Sequence, residues 1–265
     1  SAEGADPEAF DIVPSQDDIT MSDNPTKAFQ AKPRSSISIG FHLLKGGELD
    51  AFASTGNTGA MLVGSIFILK PMTGVMRPCI PTLVPKDGGG VGVLLDVGAN
   101  ADCKPEVLAQ FGLLGALLAE HVYHVPAPRV ALLNIGEEEK KGDILRQSTY
   151  ELMKEQTQYN FVGNVEGRDV FTPKADVMVC DGFTGNVVLK VIEGFHDLLE
   201  SHGVDDPFLH RFNYENYGGL PVLGVNGNVI IGHGISNDVA IKSMVLATRE
   251  VVVSKLNDRI REALV

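Results

Sequence analysis

The stretch DVMVCDGFTGNVVLK, residues 176–190, has the pattern of a strand, a glycine-rich turn and a helix. Residues 176–181 are largely apolar on consecutive positions, which is typical of a parallel strand buried on both faces. The periodic run after the turn predicts a helix over 186–201. Because a strand that leads into a helix is half of a βαβ unit, this stretch predicts an α/β fold with a mostly parallel sheet.

The Thr-Gly-Asn core of this turn occurs a second time, in STGNTGAM at residues 54–61, ahead of a predicted helix over 58–70. Glycine lets a backbone approach a ligand closely, and the free N–H groups at a helix start suit an anion. Asn57 and Asn186 either cap their helices or donate to a ligand. One such turn alone is weak evidence, but two with one core favour a pocket for an anion or an acyl group.

The alternation of short apolar runs with longer periodic segments continues along the chain. We therefore predict one domain over 1–265, with helices on both faces of a parallel sheet. Further strands are predicted at 10–13, 49–54, 91–97, 129–135, 160–165 and 228–232, and further helices at 25–46 (interrupted at Pro33), 105–122, 142–156 and 236–261.

Composition excludes several function classes. The 265 residues carry a net charge of −12, which argues against a general nucleic-acid binder and a polybasic membrane anchor. No apolar run reaches the length of a membrane-spanning helix. The three cysteines, Cys79, Cys103 and Cys180, have no Cys-x-x-Cys spacing, so we expect reduced and mostly buried thiols.

Three further turns bring polar residues to predicted strand ends. In LLDVGANADCKPE (94–106), Lys104 either meets a phosphate or is simply solvated; Asp96 and Asp102 lack a third ligand at a suitable spacing, so no metal site is predicted. In GNVEGRDVF (163–171), Arg168 either binds phosphate or pairs with a carboxylate. In GHGISN (232–237), His233 is either a general base or a strand-end histidine.

Together these stretches are specific. The ordered set STGNTGAM, LLDVGANADCKPE, LLNIGEEEKKG, GNVEGRD, VCDGFTGNVVLK, YGGLPVLGVNG and GHGISN resembles the PlsX family over almost the whole chain. The resemblance implies an isopropylmalate-dehydrogenase-like or phosphotransacetylase-like three-layer α/β/α sandwich. It also implies a homodimer that transfers a long fatty acyl group from acyl carrier protein to inorganic phosphate, for use by a glycerol-3-phosphate acyltransferase. We expect no cofactor and a cytoplasmic location, with attachment at the inner face of the membrane left open.

Phosphate is itself a nucleophile, so the protein has to align it with the thioester and to stabilise the oxyanion. Two groups of residues follow as predictions. The predicted catalytic residues are Asn57, Asn100, Lys104, Asp181, Asn186 and His233. The predicted substrate- and phosphate-binding residues are Gly56, Thr58, Gly59, Gly98, Arg168, Thr184 and Gly185.

The sequence departs from the family in two places. The family begins with a strand and an Asp-Ala-Met-Gly-Gly-Asp type of turn, which has no counterpart here, so we expect a fragment or truncated form. The segment 195–212 is shorter and more acidic than in the family, which argues against direct membrane binding. Two other functions remain open: a phosphotransacetylase that uses acyl-coenzyme A, and a non-catalytic module that dimerises or binds carrier protein.

Overall fold

The computed structural model describes residues 9–264, and within them helices and strands alternate as the sequence predicts. The strands are β1 (Ala51–Ser54), β2 (Pro81–Pro85), β3 (Val91–Leu95), β4 (Arg129–Leu133), β5 (Asn160–Val165), β6 (Val177–Val179), β7 (Gly219–Pro221) and β8 (Asn228–Gly232). The helices are α1 (Pro25–Ala31), α2 (Ser36–Gly46), α3 (Thr58–Gly64), α4 (Pro105–His121), α5 (Ile144–Lys154), α6 (Gly182–Ser201), α7 (Asp238–Val253) and α8 (Leu256–Ala263).

The strands form two sheets. The larger sheet has the order β2-β3-β6-β4-β5, in which β3, β6, β4 and β5 are parallel and β2 is an antiparallel edge. The smaller sheet has the order β1-β8-β7, with β1 and β8 parallel. The four parallel strands therefore end at one edge of the larger sheet, where ligands bind in open α/β sheets.

Helices cover both faces of the larger sheet because alternate strand residues point to opposite sides. Val177 and Val179 pack with α4 residues such as Leu108 and Leu114 in the largest buried cluster. Met178 lies in another cluster, against which partly buried residues of α6 pack. The largest cluster also contains Ile230 of β8, so the two sheets share one continuous apolar core.

Several predicted strands and helix boundaries differ from the structure. Residues 10–13 form no strand and are exposed. The helix predicted from 186 starts at Gly182, and the one predicted over 236–261 is divided into α7 and α8, with Lys255 between them in the left-handed region. Strand β2 was not predicted because proline bounds it at both ends, which only an edge strand tolerates.

Two predicted features of the helices are confirmed. The first helical region is interrupted near Pro33, between α1 and α2. Pro105 occupies the first turn of α4, where its missing N–H costs nothing. Among residues 9–264, no helix is both long enough and apolar enough to cross a membrane.

Candidate functional site

The centre of the candidate site is the start of α6, directly after strand β6. Asp181 caps the helix: its Oδ1 accepts the backbone N–H of Thr184 at 2.9 Å, and its Oδ2 accepts the Thr184 hydroxyl at 2.9 Å. The guanidinium of Arg146, on α5, donates to Oδ2 of Asp181 and to the Thr184 hydroxyl. Asp181 is 5% exposed, so this charge pair is held in a largely dry environment.

Arg146 was not predicted as a site residue, although its neighbours were. It lies one turn into α5, where Asp143 caps the helix and accepts a second bond from the guanidinium at 3.0 Å. In the sequence, the spacing of Asp143 and Arg146 predicts only a local contact between two residues at the start of one helix. The contact with Asp181 spans 35 residues and exists only because β4 and β6 are neighbours in the sheet.

The adjacent turn after β3 is built around a fully buried carboxylate. Asp96 accepts four hydrogen bonds, two of them from the backbone N–H and the side-chain amide of Asn100, at 2.6 and 3.0 Å. The Asn100 amide also donates to the carbonyl of Pro78 at 2.8 Å. Both side-chain amide hydrogens of Asn100 are therefore used in hydrogen bonds within the protein. Its backbone carbonyl accepts a hydrogen bond from the backbone N–H of Gly182 at 2.7 Å.

The glycines of the α6 turn bring the helix close to protein backbone rather than to a ligand. A Cβ on Gly185 would lie 2.0 Å from the carbonyl oxygen of Asp96, and one on Gly182 would lie 2.8 Å from that of Asn100. Asn186 does not cap α6, because the helix begins four residues earlier. Its side-chain amide instead donates to the carbonyl of Val97 at 3.1 Å, beside Gly98.

The first Thr-Gly-Asn turn belongs to the other sheet. Asn57 caps α3, accepting from the N–H of Ala60 at 3.0 Å, and its amide donates to the carbonyl of Thr20 at 3.0 Å. A Cβ on Gly59 would lie 2.4 Å from the ring of Pro25, so this glycine permits α3 to pack on α1. The two Thr-Gly-Asn sequences therefore differ in geometry: the first precedes its helix and ends at the N-cap, whereas the second lies within the first turns of α6.

Three more predicted residues lie at the end of this smaller sheet. Thr58 is exposed at the first position of α3, and Gly56 precedes it beside Ser54. His233 is exposed directly after β8, which is parallel to β1, so the histidine and the first turn lie at the same sheet edge. The carbonyl of His233 accepts the hydroxyl of Ser236 at 2.6 Å.

The two predicted basic residues, Lys104 and Arg168, follow strands β3 and β5 of the larger sheet. Lys104 is exposed at the start of α4. Arg168 follows β5, an edge strand of the larger sheet, and pairs with Glu166 at 2.5 Å while 74% of its side chain is exposed. Of the two interpretations of Arg168, pairing with a carboxylate is therefore the one that agrees with its contact to Glu166.

The cysteines are buried and free, as expected. Burial raises the pKa of Cys79 and Cys180 well above the ordinary thiol value, and the nearby Asp96 carboxylate adds to the rise for both. Burial also raises the pKa of Cys103 to about 11. Since the thiolate is the nucleophilic form, none of the three suits covalent catalysis.

Comparisons with known proteins agree with this architecture. The model of the family described as "Fatty acid synthesis protein" matches residues 3–203. The phosphate acyltransferase of Syntrophomonas wolfei subsp. wolfei is 46% identical over 241 residues, which cover 89% of this chain and 75% of that protein. The phosphate acyltransferase of Halothermothrix orenii is 44% identical over 261 residues, covering 91% of this chain and 78% of that protein.

Solved structures bear on the fold alone because their sequence identity is low. A phosphotransacetylase from Streptococcus pyogenes matches with a TM-score of 0.59 at 18% identity, over 80% of this chain and 66% of that one. A branched-chain phosphotransacylase from Enterococcus faecalis V583 matches with a TM-score of 0.60 at 14% identity, over 82% and 78%. The predicted phosphotransacetylase-like α/β/α fold is thereby confirmed, and by its sequence the chain belongs to the fatty acid synthesis protein family.

Proposed function

We propose that this chain transfers a long-chain fatty acyl group from the thioester of acyl carrier protein to inorganic phosphate. The products are an acyl phosphate and the free carrier-protein thiol. The relatives' name, phosphate acyltransferase, supports transfer of an acyl group to phosphate. The single observation that carries the proposal is the cluster of Arg146, Asp181 and Thr184 at the start of α6.

This cluster suits acyl transfer to an anion. The free N–H groups at the start of α6 carry partial positive charge, and Arg146 balances the charge of the Asp181 carboxylate that caps this helix start. In the reaction a phosphate oxygen attacks the thioester carbonyl, a C–O bond forms, the C–S bond breaks, and the sulfur leaves to take up a proton. The chain's task is to align the two reactants and to stabilise the developing oxyanion, since phosphate supplies the nucleophile.

Thr184 links the two charged groups at this helix start, because its hydroxyl donates its one hydrogen to Asp181 and accepts a hydrogen bond from Arg146. Its hydroxyl lies between Asp181 and the guanidinium of Arg146, each at 2.9 Å. We propose that Asn57, Asn100, Lys104, Asn186 and His233 support or complete the site from the two sheet edges. Asn100 and Asn186 act through the turns that they hold, because their amides are bonded to backbone carbonyls.

The test is thiol release from a long-chain acyl carrier protein, with and without inorganic phosphate. We expect phosphate-dependent release from this chain, lowered on the order of a hundredfold by Thr184→Val and largely kept by Thr184→Ser. Thr248→Val, on α7, serves as the matched control because that hydroxyl bonds only the carbonyl one turn earlier in its own helix.

Three results would contradict the proposed function, and two of them would indicate another one. Release that ignores phosphate contradicts it. Faster release from acyl-coenzyme A than from the carrier protein indicates the phosphotransacetylase function instead. Tight binding of the carrier protein without turnover indicates the non-catalytic module.

Two further proposals concern the proteins with which this chain acts. We propose that the chain acts as a homodimer and that a glycerol-3-phosphate acyltransferase consumes its product, since an acyl phosphate is an activated acyl donor. Exposed apolar side chains along α6 support a contact between subunits. Sedimentation of the purified chain tests the dimer.

A further inference from the structure

The carboxyl-terminal end of α6 and the segment that follows it enclose a small cavity, away from the start of that helix. Its volume is about 220 Å³, and two imidazoles and two carboxylates are among the side chains that line it. His196 and Glu200 come from α6, and Asp205 and His210 come from the segment after it. Because residues four apart on a helix share one face, His196 and Glu200 both face this cavity.

The nitrogen and oxygen atoms in this region are already close together. The ligand atoms of His196, Glu200 and the neighbouring Asp197 all lie within 4.8 Å of one another. In the segment after α6, Nε2 of His210 lies 2.7 Å from a carboxylate oxygen of Asp205. Ligand atoms around one zinc ion each lie about 2 Å from it. His196, Glu200, Asp205 and His210 all border one cavity, and the space between them is large enough for one ion.

Neighbouring contacts hold the walls of the cavity in position. The ring of His196 lies 6.2 Å from that of Phe212, centroid to centroid, and Phe212 packs in turn on Phe171. Arg211, next to His210, donates to the backbone carbonyl of Lys86 at 2.9 Å in the turn between β2 and β3. The segment that carries His210 is thus fastened to the larger sheet.

We propose that His196, Glu200 and His210, with Asp205 as a fourth ligand, bind one transition-metal ion such as Zn²⁺. Two imidazoles with carboxylates favour zinc, nickel or copper over magnesium or calcium, which prefer all-oxygen sites. The bound ion would tie the end of α6 to the segment 203–212. This site lies outside the proposed acyl-transfer cluster and does not depend on the proposed function.

The experiment titrates Zn²⁺ into the full chain by isothermal calorimetry, beside a thermal melt with and without the metal. We expect one zinc ion per chain and a higher Tm with zinc. His196→Ala/His210→Ala should lower the affinity about tenfold or more. His42→Ala/His121→Ala, which changes two histidines that do not line this cavity, is the matched control and should bind as the unmodified chain does.

Circular dichroism checks that each variant is folded, and Glu200→Gln provides a second, milder test of the same cavity. Magnesium at the same concentration should give no heat of binding. Zinc affinity that is equal in all variants would mean adventitious surface binding and would overturn the proposal, as would the absence of binding to the unmodified chain.

Discussion

The guanidinium of Arg146 is hydrogen-bonded to the carboxylate of Asp181, which lies 35 residues later in the chain. The side chains of the two residues are 15% and 6% exposed. This pair joins the first turns of α5 and α6 at the edge where the parallel strands β4 and β6 end. It fixes the helix start on which the proposed acyl-transfer site depends.

Arg146→Ala should be costly because it leaves a buried carboxylate without its counter-charge. We expect the free energy of unfolding to fall by about 2–3 kcal/mol in urea denaturation. Arg146→Lys should recover part of this loss, since one ammonium cannot keep all of the guanidinium's bonds. Arg34, whose side chain is 67% exposed and lies 3.7 Å from Asp17, is the control, and Arg34→Ala should cost less than about 1 kcal/mol. Equal losses at the two arginines would contradict this account.

Gly185 and Gly194 offer a matched pair within the same helix. A Cβ at Gly185 would meet the carbonyl oxygen of Asp96 at 2.0 Å, whereas one at Gly194 would meet no atom within 4 Å. We expect Gly185→Ala to cost about 3 kcal/mol or more, or to prevent folding. Gly194→Ala should stabilise by about 0.5–1 kcal/mol, because alanine favours the helix. Thermal melts of both variants make the comparison, and a harmless Gly185→Ala would refute the close approach.

The three cysteines should be unreactive in the folded chain. Burial raises their pKa, that of Cys103 to about 11, so at pH 8 the thiols stay protonated as well as covered. We expect an aromatic disulfide reagent to label no thiol quickly under native conditions and all three in guanidinium chloride. Rapid reaction of one thiol in the native chain would show that its site is open.

Lys86 should make stability depend on pH in the alkaline range. It is 5% exposed, it donates to the carbonyl of Val170 at 2.7 Å, and burial lowers its pKa to about 8. Asp176 and Asp169 oppose this shift, and Arg129 adds to it. The unfolded chain, in which this lysine has its ordinary pKa near 10.4, binds more protons between the two values. Stability therefore rises with pH from about 8 to about 10.

The comparison that isolates this effect is with Lys86→Met, which has no proton to lose. The advantage of the unmodified chain over the variant should grow by about 1.4 kcal/mol per pH unit across that range. Urea unfolding at pH 7, 8, 9 and 10 provides the measurement. A constant difference over these pH values would mean that Lys86 keeps an ordinary pKa in the folded chain.

Much of the fold could be predicted because its signals are local. Consecutive apolar residues in 176–181 and 91–97 predict buried parallel strands, and the order of motifs predicts the family. The strand Pro81–Pro85 was missed because its prolines contradict a central strand, and only its place at the sheet edge makes them acceptable. The three-residue strand Gly219–Pro221 is too short to produce a periodic signal.

The candidate site was predicted less completely. Asp181, Thr184 and Asn186 were identified from their turn, but their partners Arg146 and Val97 lie far away in sequence. The glycines were interpreted as room for a ligand, and the structure uses Gly182 and Gly185 for contact with the turn after β3. Their spacing alone cannot distinguish these two uses, because both need only a missing Cβ.

The sequence by itself determined the class of fold, the family and the turns that carry polar residues, since these depend on short-range patterns of apolar, glycine and capping residues. Tertiary structure alone decided that Arg146 meets Asp181, that Asp96 is buried beneath four donors, and that two similar turns belong to different sheets. The physical reason is that these contacts depend on strand order. Strand order brings distant segments together according to how the apolar faces pack, and no local pattern records it.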